Sequence, residues 1–114
     1  MGEALGGRLK KMRSSRGLGL RVTANMVGIS ATYLSRLENN LETSPPSEEK
    51  IRKLAEVLRD DFDELMQLAG RVPSEVAELI KSDSNMPAFL RRARKENVSA
   101  DELLEMLDKR KKEE

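Results

Sequence analysis

The stretch VGISATYLSRLENN, Val27 to Asn40, contains a turn and the start and end of a short helix. Gly28 permits a tight turn where a side chain would clash. Ser30 is an N-cap candidate for a helix running from Ala31 to about Glu38. Ile29, Leu34 and Leu37 point to a common core, and Asn40 can take the left-handed conformation that ends the helix. With those apolar positions turned inward, Ala31, Thr32, Ser35 and Arg36 remain on free faces. Three are small and one is a long guanidinium.

Working outward, apolar residues recur at helical spacing and no segment alternates as a strand would. Leu5, Leu9 and Met12 mark a first helix that ends near Arg16-Gly17. A second runs from about Leu20 to Val27, where Ala24 allows close approach to a neighbour. After the LETSPPS loop, Ser47 can cap a fourth helix whose stripe is Ile51, Leu54, Ala55 and Leu58. A fifth, around Phe62 to Leu68, ends at Ala69-Gly70. Five helices by Gly70 make a compact module over residues 1–70, and AGRVPSE is the best boundary. Residues 71–114 hold two or three more short helices. Pro73 and Pro87 stand near helix starts, and Ser99 and Glu102 have capping-box spacing. The KRKKEE end reads as a frayed, solvated tail. The expected fold class is all-α.

The bulk composition narrows the function. A chain of 114 residues can bury limited surface, so partner contacts would help it. It has no cysteine and no histidine, which removes thiolate chemistry, disulfides and the usual neutral-pH acid–base group. No acidic cluster stands apart from ordinary charged faces, and no phosphate-binding G-x-x-x-x-G-K-S/T loop is present. The expectation is a non-enzyme without metal or cofactor. No apolar run reaches membrane-spanning length and no secretory signal opens the chain, so a cytoplasmic protein without membrane partners is expected.

The net charge of +1 conceals an asymmetry. Residues 1–40 carry seven Lys/Arg against two acidic residues, residues 41–70 carry four against eight, and residues 71–114 carry ten against ten. Positive charge is thus concentrated around the opening motif, which suits contact with phosphates. Lys10 and Lys11 precede the motif and are candidates for such contacts. A narrow helix face of small residues plus one arginine can enter a major groove, where arginine can donate two hydrogen bonds to guanine.

Over roughly Leu5 to Leu68 the chain resembles the Cro/C1-type, XRE-like helix-turn-helix regulators. The resemblance is carried without a gap by LGGRLKKMRSSRGL, then LRVTANMVGISATYLSRLENN, then PPSEEKIRKLAEVL. It implies a five-helix module in which Ser30 caps the recognition helix and Ala31, Thr32, Ser35 and Arg36 face bases or nearby backbone. It places Tyr33 at a backbone-facing or edge position, pairs Arg13 with Glu38, and puts Asn40 where a turn glycine is usual. Gly19, Leu20 and Thr23 depart from the family pattern. They remove a cap and a usual DNA contact from helix two, and Arg21 is the candidate substitute on phosphate.

The resemblance implies a sequence-specific regulator of transcription, a repressor binding a palindromic operator on double-stranded DNA as a homodimer. Residues 71–114 then serve as a dimerisation or partner-binding segment. Two other readings stay open: the DNA-binding antitoxin of a toxin–antitoxin pair, with the C-terminal helices holding the toxin, and a protein-interaction module that keeps the fold without DNA binding, as partner to another regulatory protein.

Overall fold

The computed structural model describes residues 3–113. Its described residues form eight helices and no strand: α1 (Leu5–Ser15), α2 (Leu20–Val27), α3 (Ala31–Glu38), α4 (Glu48–Leu58), α5 (Phe62–Leu68), α6 (Ser74–Ser82), α7 (Asn85–Lys95) and α8 (Ala100–Glu113). They divide after Pro73 into two compact units.

In the first unit α1 packs on α3 and α4, α2 on α3 and α4, and α4 on α5. The shared core is Leu9, Ala24, Val27, Leu34, Leu37, Ile51, Leu54, Ala55, Leu58, Leu65 and Met66. Full burial of each large aliphatic side chain contributes about 1.5–3 kcal/mol before conformational entropy is subtracted. Local chemistry sets most helix starts. The side chains of Ser30, Ser47 and Asp61 accept from the backbone N–H groups of Tyr33, Lys50 and Glu64. Gly19 offers α2 no such cap, and the buried Thr23 hydroxyl donates back to the Gly19 carbonyl at 2.8 Å.

The helix ends repeat one device. Gly28 at φ 86° ends α2, and Ile29 N–H donates to the Ala24 carbonyl. Asn40 at φ 56° ends α3, and Leu41 N–H donates to the Arg36 carbonyl. A left-handed residue with a six-to-one bond satisfies carbonyls that the helix leaves open.

Polar and backbone contacts also hold the unit together beyond its apolar core. A Cβ at Gly6 would lie 2.5 Å from the Leu37 carbonyl oxygen, so α1 and α3 touch backbone to backbone there. Gly6 N–H donates to Asn40 Oδ1 at 3.1 Å, which gives α1 the side-chain cap that Ala4 cannot supply. Arg16 reaches the end of α4, with Nε on the Leu58 carbonyl at 2.9 Å and Nη2 on the Arg59 carbonyl at 3.0 Å. Arg8 donates to both oxygens of Asp60 and to Glu64, tying α1 to the α4–α5 corner.

The second unit has a different character. α6 packs on α7, and the Ser99–Glu102 capping box opens α8: Glu102 N–H donates to Ser99 Oγ at 3.1 Å, and Ser99 N–H to Glu102 Oε1 at 3.4 Å. Yet none of its described residues is buried. Leu79, Phe89, Leu90, Leu104, Met106 and Leu107 are all exposed. The KRKKEE end is exposed as expected but continues the helix rather than fraying, with α8 running to Glu113, the last described residue. The run of Lys109 to Lys112 in the last turns favours this, because cations there offset the negative end of the helix dipole. No helix among the described residues is long and apolar enough to cross a membrane.

Candidate nucleic-acid interface

The α3 helix presents two unlike sides. Leu34, Leu37 and Glu38 are buried, while Thr32, Arg36 and the C-cap Asn39 are exposed. These last three recur every three or four residues, so they form one outward stripe. Ser35 is half-buried beside it, and its carbonyl accepts from Asn39 Nδ2 at 2.8 Å.

A bidentate ion pair fixes the inner side. Arg13 Nε donates to Glu38 Oε2 at 2.7 Å and Nη2 to Glu38 Oε1 at 2.9 Å. Its Nη1 donates to the Leu18 carbonyl at 3.0 Å. The hydrogen bond to Glu38 raises the Arg13 guanidinium above its ordinary value. α3 is therefore locked to α1 by charge at Glu38 and by backbone contact at Gly6.

Two sequence expectations need correction. Ala31 is half-buried against the core rather than free, because α3 enters from the Gly28 turn with its first residue leaning on its neighbours. The Arg36 guanidinium is not free either. Nε donates to Glu42 Oε1 at 2.8 Å and Nη2 to the Leu41 carbonyl at 2.9 Å, with the side chain still 49% exposed. The cause is the Asn40 turn, which folds the following residues back beside the last turn of α3.

Tyr33 stands half-buried at the α3–α4 side, with the Lys50 ammonium 5.0 Å from its ring centroid. Burial raises the phenol's pKa, as does the charge of Glu42, while Arg71 opposes them. Lys50 lies in the first turn of α4 and puts a cation at that edge. Sequence reasoning did not single out Lys50 or Glu42. Lys50 had a signal, since it follows the Ser47 cap by three residues. Glu42 had none, because it sits in a loop without periodicity.

The remaining candidate cations come from other elements. Arg21 is exposed on the first turn of α2, and Lys10 and Lys11 are exposed on α1. None of the three has an ion-pair partner among the described residues, and none is bonded to the α3 stripe. Arg8, by contrast, is committed to Asp60, Glu64 and Glu3.

The family model described as a helix-turn-helix domain matches residues 6–71, the span from α1 to just past α5. Among curated proteins, the HTH-type transcriptional repressor RghR of Bacillus subtilis (strain 168) is 36% identical over 70 residues, covering 61% of this chain and 51% of RghR. The chain thus spans about half the length of that relative. Among solved structures, SinR, the master regulator for biofilm formation, in complex with DNA is 34% identical, with a TM-score of 0.50 over 54% of this chain and 97% of that one. The SinR/SinI protein complex matches at 31% identity and a TM-score of 0.51 over 94% of each chain. The matched span carries the Ser30-capped α3, the Gly28 turn and the Arg13–Glu38 lock, and the chain belongs to the helix-turn-helix family of Cro/C1-type transcriptional regulators.

Proposed function

We propose that this protein is a sequence-specific, double-stranded DNA-binding regulator, a repressor that binds a palindromic operator as a homodimer. The observation that carries the reading is the outward stripe of Thr32, Arg36 and Asn39 on a helix locked from behind, in a fold similar to SinR in its DNA complex. Such a helix meets base edges with positions fixed in advance. Arg36 is assigned to base readout, with Thr32 and Ser35 beside it and Ala31 at the entry. Arg21, Lys10, Lys11 and Lys50 are assigned to phosphates, Ser30 to the first turn of α3, and Tyr33 to the backbone edge. Selection from a random duplex library with the full-length protein tests this. The expected result is an enriched motif with two-fold symmetry. No enrichment over non-specific DNA would favour the interaction-module reading.

Residues 74–113 support a second element of the proposal. None of their described residues is fully buried, and Phe89, Ala93, Val98, Leu103 and Met106 of α7, α8 and the turn between them line an open groove of about 320 Å³. This segment serves to dimerise the protein. Two linked domains on adjacent half-sites then bind far more tightly than one. The solved SinR/SinI complex favours a protein partner as the alternative occupant, and a toxin would be one such partner. Co-purification from the native host separates these outcomes.

A further inference from the structure

Arg36 is held by one edge. A guanidinium offers two forks of parallel N–H groups: a side fork, from Nε and one Nη2 hydrogen, and an end fork, with one hydrogen from each Nη. Glu42 Oε1 takes Nε at 2.8 Å and the Leu41 carbonyl takes Nη2 at 2.9 Å. These two acceptors hold Nε and Nη2, and Nη1 donates to no acceptor among the described residues. The Leu41 carbonyl is itself fixed. Leu41 N–H donates to the Arg36 carbonyl at 2.9 Å, so residues 36 and 41 are bonded in both directions. Asn40 between them is held at φ 56° and accepts from Gly6 N–H. The result is a brace running from the start of α1 through the α3 turn to a half-exposed guanidinium.

We propose that Glu42 is a positioning residue for base recognition: with the Leu41 carbonyl it holds Nε and Nη2 of Arg36 and aims the Nη1 end of the guanidinium at a guanine edge. This rests on the reading of α3 as the groove-entering helix. Two effects act together. A long side chain already held in one rotamer loses less freedom on binding. The carboxylate, 26% exposed beside the binding face, also opposes phosphates of any sequence. The repulsion weakens binding to any duplex, so only the hold on Arg36 moves the ratio of specific to non-specific affinity.

The test uses the full-length protein, an operator obtained by selection from random duplexes, and a scrambled duplex of equal length. Affinities come from anisotropy titrations, with a melting curve for every variant. Glu42→Ala is expected to lower the operator-over-scrambled ratio by about two- to ten-fold and to flatten preference at the same base pair that Arg36→Ala flattens. Glu42→Gln keeps an acceptor oxygen for Nε and should retain most of the ratio. In an Arg36→Ala background, Glu42→Ala should lower the ratio no further. Equal tightening on both duplexes, an unchanged ratio, or altered preference at a different base pair would each overturn the proposal. A selection that enriches no motif defeats the DNA-binding reading and this inference with it. An enriched motif with an unaffected Glu42→Ala ratio defeats this inference alone.

Discussion

At the scale of single residues, two ion pairs carry different risks. The Glu38 side chain is 4% exposed and bonded to Arg13 through both oxygens. Removing one partner of a buried pair leaves the other charge unmatched, so Glu38→Ala is expected to cost about 3 kcal/mol in urea unfolding. The Arg13→Ala, Glu38→Ala double variant should cost well under the sum of the two single changes. Additive costs would mean that the two residues act independently. Asp60 sets an acid limit. Burial pushes its carboxyl up, but hydrogen bonds from Arg8 and the Asp61 N–H, with the charges of Arg8 and Arg16, outweigh that and hold it below the usual carboxylate range. A depressed folded-state pKa stabilises fully above the unfolded value, about 3.9, and that contribution is lost as pH falls through the folded value. Asp60→Asn is therefore expected to flatten the stability–pH curve below about pH 4, measured by urea midpoints across that range. An acid limb as steep as the parent's would place the titration elsewhere.

At the scale of elements, α1 has two adjacent glycines with opposite roles. A Cβ at Gly6 would meet the carbonyl oxygens of Leu37 and Glu38 and the side-chain oxygen of Asn40 at 2.5–2.6 Å, whereas a Cβ at Gly7 meets nothing within 4 Å. Backbone atoms of a packed helix cannot yield cheaply, so Gly6→Ala should destabilise by about 1–3 kcal/mol. Gly7→Ala should stabilise by up to about 1 kcal/mol through helix propensity alone. Thermal melts of the two variants check the pair, and shifts of the same sign would contradict the crossing geometry. This contrast also shows what the sequence made legible. Ser30, Ser47, Gly28, Asn40 and Gly70 punctuate the helices locally, so α1 to α5 could be placed from the chain alone. The roles of Gly6, Arg16 and Glu42 depend on residues brought together by folding. Gly6 did leave a trace, because two glycines inside a helix are costly without a packing reason. Arg36 was recognisable as an exposed arginine, but its loop brace was not, since a six-residue separation ending in a loop follows no helical rule.

At the scale of the molecule, the two units differ in what stabilises them. Unit one has its own apolar core, and unit two buries no described side chain. Short helices without a packed face are marginal in water. A chain truncated after Pro73 is expected to keep the melting behaviour of the first unit and to sediment as a monomer, while the full chain sediments as a dimer. A truncated chain that dimerises as tightly as the full one would move the dimer interface into residues 1–73.

If the exposed apolar faces of the second unit close on a second copy, that copy stabilises the unit by mass action. Its order would then become a readout of dose, looser when copies are scarce and firmer when they are abundant. Calorimetry over a hundred-fold range of protein concentration should then show one transition that stays put and a second that climbs as the protein is concentrated. Two stationary transitions would mean that the segment stands without company. If the second one climbs, the number of molecules in the cell sets the structure of the C-terminal segment, and the regulator would gain a sensor for its own abundance.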